Sequence, residues 1–454
     1  MSFEITNEYL EIIQDAIKEE KKEEIRAIFE DLYAADASLV LYELNTDECI
    51  FIIELLDIDF SAEIISFVDP DTRKDFLKNF NSEKIAAFLK FIESDDSADI
   101  LNEFPSHRRE VVLAFIEKDN KEKANNIKDL LRFDEDEAGG LMAKELIKAN
   151  INWNVNQCIE EIRRQTEKVE KCYSVYVVDD EDKLLGRVSL KKIVLTNENA
   201  IIKDIYEPDI IAVESHSHAE DIAGKMQKYD LEAVPVVNAA GKLIGRITID
   251  DIMDFVSEQK ELDIQAMTGI SESVEEDDSV WMLSRARLPW LLIGMAGGML
   301  GATFMGNFEN ELKVIPAMAF FIPLITATGG NVGVQSSSLV VQSLADNTGA
   351  KIDFSNFQRF LKVFIVALLN GFVISSLVFG FNILVGNPQK LAMVVSGALM
   401  CVIILASFLG TITPLILDKL GINPALASGP FITTANDLLG IAVYFSLANH
   451  LYHL

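Results

Sequence analysis

The chain has 454 residues, 49% of them hydrophobic, a formal charge of −31 and a mean hydropathy of +0.20, which admits two to four domains and suggests that part of it is not water-soluble. The charge divides sharply: residues 1–280 carry −33 and the remainder +2, an acidity that argues against nucleic acid as a partner and suits the gathering of cations. Four scattered cysteines, Cys49, Cys158, Cys172 and Cys401, form no CxxC pair and no disulfide framework, which points to a reducing compartment for the acidic part.

The opening stretch, "MSFEITNEYLEIIQDAIKEEKKEE", has neither a basic start nor an apolar run, so the N-terminal part is expected in the cytosol. Residues 1–133 read as short amphipathic helices, among them "SAEIISFV", "EKIAAFLKFIE" and "RREVVLAFIEK", separated by polar breaks. Their recurrent openings predict stacked helical hairpins, a small all-α solenoid.

An internal repeat follows. "VYVVDDEDKLLGRVSLKKIV" (175–194) lies 59 positions before "VPVVNAAGKLIGRITIDDIM" (234–253), keeping Lys183/Lys242, Gly186/Gly245 and Arg187/Arg246. Each copy predicts strand, turn, strand and helix, preceded by an amphipathic helix. The copies are assigned to 134–200 and 201–257. A charged helix and the acidic hinge "SESVEEDDS" then occupy 258–280.

From 281 to 454 the chain reads as an all-α membrane domain. Five essentially uncharged runs, 288–308, 314–345, 363–389, 391–417 and 420–454, are each long enough to cross a bilayer. Arg285 and Arg287 before the first, and Lys351, Arg359 and Lys362 before the third, place those ends inside. The N-terminus is then cytosolic and the C-terminus outside.

The last run carries one acid, Asp437, in "PFITTANDLLGIAVYF". A carboxylate at membrane depth is costly unless it meets water, a cation or a partner, so it is a functional candidate; a hydrogen bond to a neighbouring helix is the plainer alternative. Thr433 and Thr434 add hydroxyls beside it. In the second run, "IPLITATGGNVGVQSSSLVVQ", Pro323, Gly329, Gly330 and Gly333 are expected to break the helix midway and free carbonyl oxygens, with Asn331 and Gln335 nearby. Close helix packing is the alternative reading of those glycines. One acid among neutral oxygens, without imidazole or thiolate, suits a hard, hydrated cation such as magnesium. A two-fold dimer with its pore on the axis would supply a second carboxylate.

The repeat pair resembles tandem cystathionine-beta-synthase (CBS) domains, with "AGGLMAKELI" as the opening of the first. Together with "RLPWLLIG", "FEN", "GGNVGVQSS" and "TTANDLLG", and the order of modules, the whole chain resembles the MgtE family of magnesium channels or transporters. The resemblance implies a homodimer in a cytoplasmic or inner membrane, a pore between subunits, and magnesium import. Asp437 would hold hydrated magnesium, with Asn331, Gly329, Gly330, Thr433 and Thr434 around it. Val334 stands where the family usually has an amide. The resemblance further implies cytosolic magnesium bridging acidic faces to hold the pore shut, at Asp95, Asp99, Glu220, Asp230, Asp251, Asp254 and Asp263; Gln259 and Leu262 stand where further acids are expected.

CBS pairs also bind adenine nucleotides such as ATP, and Thr248 and Asp251 in the second copy suit a ribose contact, whereas the first copy has Lys192 in the equivalent place. His216 and His218 in "ESHSHAE" are expected to be solvent-exposed. Two rival readings are an intramembrane hydrolase, which would normally use paired carboxylates, and a nucleotide-sensing receptor that moves no ion. A carrier for manganese or cobalt is the variant closest to the main reading.

Overall fold

The computed structural model describes residues 5–165, 174–272, 274, 278–345, 357–427 and 429–452. Cys172, Lys351 and four residues of the acidic hinge lie outside that set, as does the side chain of Arg359. The chain forms two compact units, residues 1–254 and 255–454.

In the first unit, ten helices run from Asn7 to Leu130. Their burial repeats every 24 residues. Ile64, Phe88 and Val112 are buried, as are Ile65, Leu89 and Leu113, and Val68, Ile92 and Ile116, whereas Phe67, Phe91 and Phe115 are exposed. Each helical hairpin thus turns the same stripe inward, as a solenoid requires. Side-chain caps start several of these helices; Asn45 and Glu48 form a reciprocal capping box.

The repeat copies fold into two three-stranded sheets. In the first, β1 (Lys148–Asn150) pairs parallel with β2 (Ser174–Val178), which pairs antiparallel with β3 (Leu184–Ser189). The second repeats the order with β4 (Val213–Glu214), β5 (Ala233–Val237) and β6 (Leu243–Thr248). The hairpin turns are built alike. Asp179 Oδ1 accepts from the Glu181 and Lys183 amides, and Asn238 Oδ1 accepts from those of Ala240 and Lys242. The turns also meet each other, Leu184 N donating to Gly241 O and Leu243 N to Asp182 O, so the two copies are joined by a local pseudo-two-fold. A helix, Ile249–Thr268, continues directly from β6. It begins earlier than the expected connecting helix because the last helix of the second copy and the connection are one element.

In the second unit, five spans among the described residues are long and apolar enough to cross a membrane: Val280–Gly306, Pro316–Leu344, Phe360–Leu384, Gln389–Lys419 and Pro424–Tyr452. The fourth is the centre, with 61% of its apolar stretch buried against 6% for the first. Leu391, Val394, Val395, Leu399 and Val402 pack with Met318, Ile325, Ile441, Tyr444 and Phe445. Tyr444 donates its buried hydroxyl to Met318 O at 3.1 Å, which satisfies it inside an apolar core.

The predicted break inside the second span is absent. A 3-10 segment, Pro316–Phe321, leads into one unbroken α-helix, Ile322–Ala345. Pro323 lies in its first turn, where a missing N–H removes no helical bond. Gly329, Gly330 and Gly333 stay helical and allow close approach of neighbouring spans instead. Irregular backbone occurs near the start of the fifth span: Gly429 has φ +64, and the α-helix begins at Pro430.

Candidate functional site

Asp437 is half-buried on the fifth span, whose helix Pro430–Tyr452 contains no other acid. Two faces of that helix are occupied. Toward the second span, the methyl of Thr433 leaves 3.1 Å for a Cβ on Gly330, and Gly440 faces Ile325. Toward the first span, Thr434 lies against Gly297 and Leu438 against Gly301. With 3.6 residues per turn, Asp437 falls between these faces, in the seam bordered by the first and second spans. Thr433 lies one turn before it and donates its hydroxyl to Gly429 O at 3.0 Å, so only its oxygen lone pairs remain for a ligand. Asn331 is exposed on the second span, one residue beyond Gly330. Gly329 packs against Val402 and Asn436. The helix being continuous, the carbonyls expected around Asn331 remain within the helical ladder.

The other concentration of acids lies within the first unit, where the helix Ser94–Asn102 meets the repeat pair. Asp95 is 7% exposed, and its Oδ1 has no hydrogen-bond partner among the described residues. Burial, then the Asp96, Asp251, Glu93 and Glu145 carboxylates, hold its carboxyl well above the usual range. Glu145 accepts from Ser94 Oγ at 2.6 Å and from Ser94 N at 3.2 Å. Glu93 pairs with the buried Arg246 at 3.3 Å. Asp251 accepts from Thr248 N at 3.0 Å and Thr248 Oγ1 at 2.5 Å. Burial raises the Asp251 carboxyl while those bonds pull against it. Lys123, on which Glu145, Glu93 and Asp95 act, has its charge disfavoured by burial and donates to Lys90 O and Ile92 O.

The remaining predicted acids are distributed differently. Asp99 reaches solvent on the same helix as Asp95, yet the surrounding protein and the Asp96 and Glu135 carboxylates push it up to about 7. Glu220 and Asp230 stand at the two ends of the helix Ala219–Tyr229, Asp230 in a left-handed C-cap. Asp254 is exposed, with its carboxyl raised by burial and Asp250. Asp263, in the second unit, accepts from Asn423 Nδ2 at 2.9 Å and from Gln259 at 3.5 Å. His216 and His218 are exposed, as expected, and meet Glu137 at 3.1 Å and Asp136 at 3.7 Å. Among the described residues, no group of three or more His, Cys, Asp or Glu side chains is arranged to hold a bare metal ion.

Sequence reasoning missed Glu93, Glu145, Arg246 and Asn436. Glu145 and Arg246 join this helix only through the fold, Glu145 bonding Ser94 across 51 residues and Arg246 pairing with Glu93 across 153, whereas Glu93 is two residues before Asp95. Asn436 had a signal, its place beside Asp437, but amides are common in such stretches.

Comparison with known proteins covers most of the chain. The MgtE divalent cation transporter family matches residues 322–447, the MgtE intracellular N domain 32–136, and the CBS domain 138–196 and 202–258. The magnesium transporter MgtE of Thermus thermophilus is 30% identical over 439 residues, covering 96% of this chain and 97% of that one. The magnesium transporter MgtE of Enterococcus faecalis is 33% identical, covering 72% of each. A crystal structure of the soluble part of a magnesium transporter aligns with TM-score 0.51 at 26% identity, over 55% of this chain and 97% of that one. The cytosolic domain of the Mg2+ channel MgtE in complex with ATP aligns with TM-score 0.50 at 26% identity, over 54% and 98%.

Proposed function

The chain belongs to the MgtE family of magnesium transporters, and from that premise we propose that it imports magnesium through a pathway at Asp437, gated by cytosolic magnesium at the acidic surfaces. Asp437 carries this reading. It is the one acid of its helix, half-buried in the seam between two neighbouring spans, and an acid at that depth calls for a cation or water. Magnesium as cargo keeps its hydration shell, so one carboxylate with the lone pairs of Thr433 and the amide of Asn331 acts on its waters. A homodimer with the pathway at its interface supplies the second carboxylate.

Regulation is assigned to the cluster of Glu93, Asp95, Glu145 and Asp251. The orphaned Asp95 oxygen and the crowding of carboxylates around it fit a hydrated divalent cation. Such an ion would relieve repulsion between the N-terminal helices and the second repeat copy. The connecting helix has a route to the pathway within the second unit: Asp263 bonds Asn423, and a Cβ on Gly429 would lie 2.7 Å from Met267 O. A shift of this helix therefore reaches the first turn of the Asp437 helix. Thr248 and Asp251 would hold the ribose of an adenine nucleotide such as ATP, and Asp251 then serves both ligands. In the inner membrane the N-terminus faces the cytosol and the C-terminus the outside, following the flanking cations.

The test is flux into proteoliposomes with magnesium, manganese, cobalt, nickel, zinc and calcium, wild type against Asp437→Ala. Magnesium flux that falls to the level of empty liposomes in the variant supports the reading. Undiminished flux removes Asp437 from the pathway, and faster manganese or cobalt flux reassigns the cargo.

A further inference from the structure

The residue before Asp437 faces the protein instead of the seam. Asn436 is 2% exposed, and its amide nitrogen has no hydrogen-bond partner among the described residues. It is keyed into the second span. A Cβ on Gly333 would lie 2.0 Å from Asn436 Nδ2, and one on Gly329 would lie 3.8 Å from Asn436 Cβ. Gly329 and Gly333 are four residues apart on one helix and so form a continuous notch. Behind it the fourth span closes the wall, since a Cβ on Gly410 would be 2.3 Å from Gly333 O.

A buried amide donor left unpaired costs about 1–3 kcal/mol, which an apolar side chain of similar volume would not incur. Packing alone is therefore a poor reason for an amide here. Helix geometry supplies a better one: successive side chains on the fifth span are separated by about 100°, so whatever fixes Asn436 also fixes the direction of Asp437. We propose that Asn436 is a positioning residue for the pore carboxylate. Its amide, seated in the Gly329–Gly333 notch, sets the rotation of the fifth span, and Asp437 then faces the seam where a hydrated divalent cation passes. This inference rests on the assignment of Asp437 to the pathway.

The full-length protein in proteoliposomes provides the test, with magnesium flux measured across concentration and thermal melting measured on the same preparations. Asn436→Ala and Asn436→Ser are expected to raise the half-saturating magnesium concentration about tenfold, as misplacement of a binding group does, with melting temperature retained. Gly333→Ala is expected to impair flux, and Gly333→Ala/Asn436→Ala to recover much of it, because the new methyl occupies space that the amide vacates. Unchanged magnesium dependence in both Asn436 variants, with flux abolished by Asp437→Ala, overturns the inference and leaves the pathway assignment standing. Flux that survives Asp437→Ala overturns both. Failure of Asn436→Ser to fold, or a flux loss that only follows a lower melting temperature, makes Asn436 a packing residue and also overturns it.

Discussion

Asp437 and Asp95 are both carboxylates withdrawn from water, but their surroundings differ in kind. Asp437 is alone on an apolar helix, flanked by threonine and glycine contacts. Asp95 is buried among Asp96, Asp251, Glu93 and Glu145. In the first setting the protein offers little besides the charge, and on the proposed reading a passing ion contributes its own hydration shell. In the second several carboxylates crowd around one buried aspartate, and on the proposed reading an ion acts there as a cross-link. Isolation suits passage and crowding suits retention, since binding weak enough to release is what conduction needs.

The sharpest way to break that contrast is to remove charge at each position. Asp437→Asn should reduce magnesium flux to the background of empty liposomes, read by a magnesium-sensitive dye inside the vesicles. Residual flux above about a tenth of wild type would mean that the isolated charge is not required, as the cost of a lone intramembrane acid implies it should be. Asp95→Asn should act in the opposite sense. Relieving like-charge crowding ought to stabilise the first unit in the absence of divalent ions, and its protease protection should no longer depend on magnesium. Protection that still rises with magnesium in this variant would move the sensing site elsewhere.

Proton dependence sharpens the comparison further. Asp95 and Asp251 are both raised in the folded protein above the ordinary aspartate value of 3.8. The folded state therefore binds more protons than the unfolded state over the interval above that value. Stability must then fall as pH rises through the interval, because its slope follows the difference in bound protons between unfolded and folded states. Without divalent ions, the Ser94–Asn102 helix should show higher hydrogen-exchange protection factors, corrected for the base catalysis of exchange, at pH 5 than at pH 8. Magnesium should restore protection at pH 8 and add less at pH 5, since Asp95 and Asp251 hold protons more readily as pH falls. Equal magnesium effects at both values would show that the ion binds outside these carboxylates.

How far the sequence discloses these two sites depends on the range of the contacts that make them. Asp437 is legible because a charge inside an apolar run is a local anomaly, and the repeat copies are legible because 59-residue identity in Lys183/Lys242 and Gly186/Gly245 marks one turn built twice. The helical solenoid is legible in kind, although its 24-residue period emerges only from which side chains are buried. Glycine in a membrane helix is ambiguous by nature. It permits both a break and a close approach, and the volume of Asn436, Val402 and Thr433 against Gly333, Gly329 and Gly330 decides for approach. The acidic cluster is least legible, since Glu145, Arg246 and Asp251 lie far in sequence from Glu93 and Asp95 and meet them only after folding.

The smallest expected effect concerns the link between the two regimes. Asn423 donates to Asp263 at 2.9 Å and accepts from Ala425 N at 2.8 Å, so one side chain ties the connecting helix to the turn that precedes the fifth span. Both partners of the Asp263 contact are accessible to solvent, and a hydrogen bond to a charged group in that setting contributes no more than about 1.5 kcal/mol. Asn423→Ala should therefore leave maximal flux at low cytosolic magnesium unchanged, while shifting the magnesium concentration for half-inhibition by about tenfold at most, the factor that such an energy allows. A fall in maximal flux with unaltered inhibition would place Asn423 with Asp437 in the pathway instead of with Asp95 in its control. No shift in either quantity would mean that the helix communicates through the backbone contact of Met267 with Gly429 alone, a contact that Gly429→Ala should disturb directly.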